Sequence, residues 1–244
     1  TSPLAWYRQG EFNLQTRVWI DASGNNNVAT LSPSGLSAAS VSGHGTPVPV
    51  LALHGTTNGM VLFGGSAIRT TFSICSVTRY TGGSSRRVLN GVGRNFVHGH
   101  HNAMVSGVAF YGTVRTAWTA HVSPITDWVV MCGTNAGSDA ILVNGNDVGT
   151  GTGGTGDCGL GVNLGENMPA EASDFAIAEL VVWDRGLTAE EMHAASAHLV
   201  RNVLGIIPPP SLPPLPPPQP PPSPPPPLPP PPLPPPPSPP PPSP

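Results

Sequence analysis

The chain has 244 residues, 10 arginines and no lysine, 13 carboxylates and a formal net charge of −3, and charged residues make up only 9% of it. The arginines are scattered, which excludes the basic patch that a nucleic-acid binder needs to neutralise phosphates, and no apolar run approaches the roughly 20 residues of a membrane span. Twenty-eight of the 34 prolines lie between Pro208 and Pro244, and all charges, aromatic rings and cysteines precede them, so the sequence divides into one folded domain, residues 1–207, and one proline-rich tail, residues 208–244.

From Trp19 to Trp183, short β-branched or aromatic runs alternate with clusters of glycine, asparagine and serine, the pattern of strands and turns. In chain order the clearest runs are TTFSICSVTRY (70–80), MVSGVAFYG (104–112), DWVVMCGT (127–134), AILVNG (140–145) and DFAIAELVVWD (174–184). Phe72, Ile74 and Ser76 alternate with Ser73, Cys75 and Val77, while other runs are apolar on both faces, as inner strands of a two-sheet sandwich are.

Between these runs lie the residues with chemistry. Imidazoles at alternating positions of HGHH (98–101) share one face of a strand. Carboxylates to orient a metal-bound histidine are missing nearby, so a polar turn or strand end is expected there. In GTGTGGTGDCGLG (149–161), Gly151, Gly153 and Gly156 have the spacing of a phosphate-cradling loop. That spacing has meaning only between a strand and a helix. Here CGLGVN (158–163) reads as another strand, so a loop joining two strands is expected. Asp139, Asp147 and Asp157 near this loop are the candidates for calcium, but they match no ligand motif, and no cofactor is expected.

Cys75, Cys132 and Cys158 allow three different single disulfides, each leaving one thiol, and their spacing does not suit zinc. Trp6, Tyr7, Tyr80, Tyr111 and Trp118 would stack on sugar rings if exposed, and serve equally as core or contact residues; the latter is expected. A glycosidase needs two carboxylates across the scissile bond. Glu179, inside the last strand run, has none at 177, 181 or 183 and is expected to be hydrogen-bonded within the fold. No G-x-S-x-G elbow marks a nucleophile, and the reading is of a protein that is not an enzyme.

One segment is helical, LTAEEMHAASAHLVRNVLG (187–205). Thr188 and Glu191 form a capping box, Leu187 and Met192 a hydrophobic staple. Met192, Ala195, Leu199 and Val203 fall on one face that should lie against a sheet, and Gly205 supplies the left-handed stop.

Together RVWIDASG (17–24), FSICSVTRYTGGSSRRVLNG (72–91), ILVNGNDVGT (141–150) and SDFAIAELVVWDRGLTAEEMHAASAHLVRNVLG (173–205) resemble the concanavalin A-like lectin/glucanase superfamily, in its laminin-G-like branch. The last stretch is the most specific, with a strand carrying an inward Glu179, a WDRGLT turn and a capped helix; residues 25–68 carry little of the likeness. The resemblance implies an all-β, two-sheet antiparallel jelly-roll sandwich with one C-terminal helix. It does not imply a function, because the scaffold serves lectins, glycosidases and structural domains alike.

The tail follows from elementary stereochemistry. Proline fixes φ near −65° and lacks an N–H, so a proline run adopts the polyproline II helix and joins no ladder; at about 3.1 Å per residue, residues 208–244 would span roughly 115 Å. The segment resembles the Ser-Pro repeats of hydroxyproline-rich glycoproteins of the pherophorin and extensin kind. That resemblance implies hydroxylation and O-linked arabinose- and galactose-containing glycans, with Pro209, Pro210, Ser211, Ser223, Pro224, Pro225, Pro226, Pro227, Ser238, Pro239, Pro240 and Ser243 as candidate positions. No N-x-[ST] sequon occurs, so any glycan would be O-linked. Proline-recognising modules favour ligands flanked by arginine or tyrosine, and the tail has neither charge nor ring.

The expectation is an extracellular structural glycoprotein whose head and stalk self-assemble, or assemble with related glycoproteins, into a matrix, cell-surface or fibre element. The alternative is a lectin module displayed on a stalk. Nucleic acid and membrane are not expected partners.

Overall fold

The computed structural model describes residues 2–64, 67–102 and 105–207. In chain order the strands are β1 (Ala5–Tyr7), β2 (Phe12–Asn13), β3 (Val18–Trp19), β4 (Ala29–Leu31), β5 (Leu36–Gly43), β6 (Thr46–Gly55), β7 (Val61–Leu62), β8 (Ser73–Tyr80), β9 (Leu89–Val92), β10 (Phe96–His101), β11 (Val105–Tyr111), β12 (Val129–Thr134), β13 (Ile141–Val143), β14 (Asn146–Asp147), β15 (Gly159–Val162) and β16 (Phe175–Trp183), followed by helix α1 (Ala189–Asn202). They form two antiparallel sheets. The first runs β14-β13-β12-β8-β16-β6-β5, with β1 added beside β16; the second runs β11-β10-β9-β15-β7-β4-β3-β2. The expected all-β sandwich with one C-terminal helix is the fold observed.

Two apolar layers hold it. Between the sheets, Trp19, Leu53, Phe63, Phe72, Ile74, Phe96, Tyr111, Met131, Phe175 and Leu180 make the main core. On the other face of the first sheet, Val50, Cys75, Val77, Cys132 and Ala178 pack against Met192 and Leu199 of α1 and Val203 at its C-cap. This second layer explains why β8 and β16 are apolar on both faces: the alternation Phe72/Ile74 against Cys75/Val77 divides inner from outer core, and neither side meets water. At about 25 cal/mol per Å² of apolar surface, covering the outer face is what α1 contributes to stability.

The helix starts as its sequence dictates. Thr188 Oγ1 accepts the Glu191 N–H at 3.2 Å and Glu191 Oε2 accepts the Thr188 N–H at 3.0 Å. Arg185 holds the same carboxylate at 2.6 Å, and these contacts pull the Glu191 pKa down to about 2. Leu187 and Met192 are buried together in the outer layer, and Gly205 takes φ +65°.

Of the three cysteine pairings, the structure contains Cys75–Cys132, whose residues are direct cross-strand partners on β8 and β12. Cys158 is a buried thiol, its pKa raised by burial to about 11.

Candidate functional site

A bulge decides where Glu179 points. Along β16, Phe175, Ile177, Leu180 and Val182 face the inner core, and the register with β8 slips between Ile177 and Glu179. A bulge puts one extra residue in the strand and re-aims its side chain, so Ala178 and Glu179 both turn to the helix side. The inward Glu179 of the sequence reading is therefore corrected to an outward one. Its hydrogen-bonded role holds: Oε1 accepts Trp6 Nε1–H at 2.7 Å and Oε2 accepts the Gln9 N–H at 3.3 Å.

These contacts build a seam where β1 lies beside β16 under α1. The Arg8 guanidinium sits 5.0 Å from the Trp6 ring centroid, and the His198 imidazole meets that ring edge-on at 6.2 Å. Beside them opens a polar hollow of about 210 Å³ lined by Trp6, Arg8, Gln9, Glu179, His198 and Asn202. Next to it lies an apolar groove of about 150 Å³, walled by Pro3, Trp6, Val181, Trp183, Ala195 and Leu199. Trp183 was not among the aromatics singled out in the sequence. Its only signal was the last position of the DFAIAELVVW run.

A larger cleft, about 520 Å³, opens where β5, β6 and β16 meet the turn after β8, lined by Ser37, His54, Thr56, Thr81 and Asp174 with Gly35, Gly55 and Gly82. Its floor requires glycine: a Cβ on Gly55 would come within 2.2 Å of the Phe175 ring, and one on Gly82 within 2.5 Å of Asp174 Oδ2. Asp174 accepts the Thr57 N–H at 3.1 Å and the Ser84 N–H at 3.0 Å, fixing both sides of the cleft to β16. Half-buried His54 has its pKa lowered by desolvation and by the nearby Arg79 and His44 charges. The imidazole thus resists protonation more than a free one does.

The remaining sequence candidates separate into structural roles. HGHH closes β10, the strand-end alternative of the sequence reading, with His98 and His100 fully buried in it. Tyr111 Oη lies 2.8 Å from His98 Nδ1, and the Met131 carbonyl 3.3 Å from Nε2; because a carbonyl only accepts, Nε2 carries the proton and Nδ1 accepts from the phenol. Tyr7, Tyr80 and Tyr111 are core, Trp6 is half-buried in the seam, and Trp118 is 44% exposed, edge-on to His101.

The glycine-rich loop joins β14 to β15, as expected for a connection between strands. Arg115, wholly buried, organises it by donating to the carbonyls of Gly151 and Thr134 at 3.0 Å, to that of Gly153, and to Asp139 Oδ1 at 2.6 Å. Asp139 is thereby occupied. Asp147 accepts the Gly149 N–H and Asp157 the Thr70 hydroxyl, so the three calcium candidates have separate partners. Among the described residues no group of three or more His, Cys, Asp or Glu is arranged to hold a metal. The hydroxylation and glycosylation candidates, Pro209 to Ser243, lie outside the described residues. No described helix is long and apolar enough to cross a membrane.

No family model matches the chain, and no curated protein matches it. Among solved structures it is similar to domain 4 of AbnA, a GH43 extracellular arabinanase from Geobacillus stearothermophilus, in complex with arabinotriose: TM-score 0.54, 14% identity, covering 80% of this chain and 98% of that one. The Trypanosoma rangeli sialidase in complex with sialic acid aligns at TM-score 0.53 and 12% identity over 83% of this chain and 33% of the other. The binding domain of botulinum neurotoxin DC in complex with SialylT aligns at 0.51 and 11%, over 81% and 51%. The chain thus spans about a third of the sialidase chain and half of the neurotoxin's binding domain. At these identities the likeness is one of fold alone: a two-sheet antiparallel β-sandwich.

Proposed function

We propose that the protein is an extracellular structural glycoprotein, a β-sandwich head on an O-glycosylated polyproline stalk, that assembles with copies of itself or related glycoproteins into a matrix, cell-surface or fibre element. The observation that carries this reading is the tail's composition: 28 prolines in residues 208–244, with serines and leucines between them and neither charge nor ring. A stiff, donor-poor rod loses little entropy when ordered and suits a strut. The Cys75–Cys132 disulfide supports an oxidising compartment. Head-to-tail contacts that do not close into a ring generate filaments. Mass spectrometry of native protein tests the reading: hydroxyproline carrying pentoses or hexoses within residues 208–244 supports it, and an unmodified tail argues against it.

The second reading is a lectin module on a stalk. It is favoured by the 520 Å³ cleft, to which His54 and the hydroxyls of Ser37, Thr56 and Thr81 contribute, and by solved neighbours in complex with arabinotriose, sialic acid and SialylT. A glycan array probed with the full chain separates the two: saturable binding that His54→Ala removes supports the lectin, and background signal throughout supports the strut.

A further inference from the structure

We propose that β5, the open edge of the first sheet, pairs antiparallel with β5 of a second copy of the chain about a two-fold axis at Ala38. The inference rests on the assembly reading above and names a contact between two heads.

The direction of the free backbone groups follows from one bond. The Thr56 N–H donates to the Gly35 carbonyl at 3.0 Å, and the register continues through Ser37 opposite His54, Ala39 opposite Ala52 and Val41 opposite Val50. Hydrogen-bonded and non-hydrogen-bonded pairs alternate along an antiparallel ladder, so Ser37, Ala39 and Val41 turn their N–H and C=O groups to β6. Leu36, Ala38 and Ser40 turn theirs outward, where β5 has no strand beside it among the described residues.

The other margins of the two sheets are short or covered. β2 and β14 have two residues each. Along β11, the Arg115 N–H bonds the Ala109 carbonyl at 3.1 Å and the His121 N–H bonds the Ser106 carbonyl at 2.9 Å. On β1, the Trp6 N–H bonds Asp21 Oδ1 at 2.9 Å and the Trp6 carbonyl accepts the Ala22 N–H at 2.7 Å. The first half of β6 also lacks a strand on its side away from β5, and the same alternation aims positions 47 and 49 that way. Both are proline, which has no N–H to offer a further strand. Proline and charge are the usual guards of an exposed edge. β5, eight residues of sequence LSAASVSG, has neither.

The edge is complementary to itself. With Ala38 opposite Ala38, Leu36 faces Ser40 of the second copy, and all three outward positions of each strand are used, giving about six N–H···O bonds. The bulge between Val41 and Gly43 lies beyond this stretch. Ala38 and Ser40 are small and exposed, and no like charges meet across the axis, so a two-fold operator brings together surfaces that fit. Main-chain pairing of this kind joins the two first sheets into one.

The test is sedimentation velocity and residue-resolved hydrogen exchange of the full chain over a range of concentrations. The parent should dimerise reversibly. The N–H groups of Leu36, Ala38 and Ser40 should gain protection as concentration rises, while those of Ser37, Ala39 and Val41 are protected throughout. Ala38→Pro removes an outward N–H and spares the bonds to β6, and should weaken dimerisation about tenfold or more. Ala38→Lys and Ala38→Glu keep the backbone intact; each alone should dimerise more weakly through like-charge repulsion, and mixing them should restore association, as only a self-opposed Ala38 requires. A parent that stays monomeric overturns the pairing. Self-association that is equal in the parent and all three variants overturns it too, while leaving assembly standing. Edge dimers from a protein that forms nothing larger in native material support the pairing and sink the assembly reading.

Discussion

Acid should unfold this domain through two buried histidines. His98 and His100 are fully enclosed in β10, and burial lowers their pKa values from 6.5 to about 4 and about 3. In the unfolded chain both take up a proton near 6.5, so the unfolded state binds more protons below that value. Their contribution to stability is therefore complete above pH 6.5, falls as the pH drops, and levels off only below the folded values. At 1.36 kcal/mol per unit, each histidine costs about 2 kcal/mol between pH 6.5 and 5. His98 alone costs about 3 kcal/mol by pH 4. His54 and His101, whose pKa values burial also lowers, add in the same direction. Asp21 and Glu191, held below the usual carboxylate range, lose their contribution only at lower pH, so the interval from 6.5 to 5 isolates the imidazoles. The assay is urea denaturation at pH 7, 6 and 5 of the parent and of His98→Gln, which keeps a neutral polar group facing Tyr111 and Met131. The variant should start less stable and lose about 2 kcal/mol less than the parent over that range. Parallel pH profiles would show that His98 gains its proton as readily folded as unfolded, and would refute the burial argument.

Three further outcomes follow from particular contacts. Peptide mapping under non-reducing conditions should recover Cys75 joined to Cys132, and an aromatic disulfide reagent should label Cys158 only after denaturation, because its thiol is buried with a pKa near 11; rapid labelling of native protein would contradict this. Arg115→Met should destabilise the fold by about 1–3 kcal/mol or more in chemical denaturation, because the buried Thr134 carbonyl and those of Gly151 and Gly153 lose their donor, and should raise hydrogen exchange throughout residues 149–156. Gly55→Ala should lower the melting temperature markedly, since its Cβ would meet the Phe175 ring at 2.2 Å, whereas alanine at Gly83, which faces open space, should be nearly silent.

How much of this was legible in the sequence depended on how locally each feature is determined. The capping box, staple and left-handed stop of α1 lie within residues 187–205, and periodicity there gave both the helix and its buried face. The strand runs were equally local. The hairpin β5–β6 was hidden because Pro47 and Pro49 sit inside a strand; they are tolerated since β6 before Leu53 has only β5 as a neighbour. The strand end at HGHH was legible, but the burial of His98 was not, because the partners that permit it, Tyr111 and Met131, come from other strands. The cysteine pairing needed the β8–β12 register. The seam required β1 to find β16, bringing Trp6 to Glu179 across 173 positions, and the bulge that turns Glu179 outward has no local mark at all. Calcium at Asp139 was weighed without knowing that Arg115 occupies it.

The central claim, that head and stalk form an assembling structural element, is tested most directly by electron microscopy of native material. The account predicts filaments or sheets in which sandwich-sized heads recur along slender rods. Isolated, monodisperse particles without a recurring spacing would contradict it.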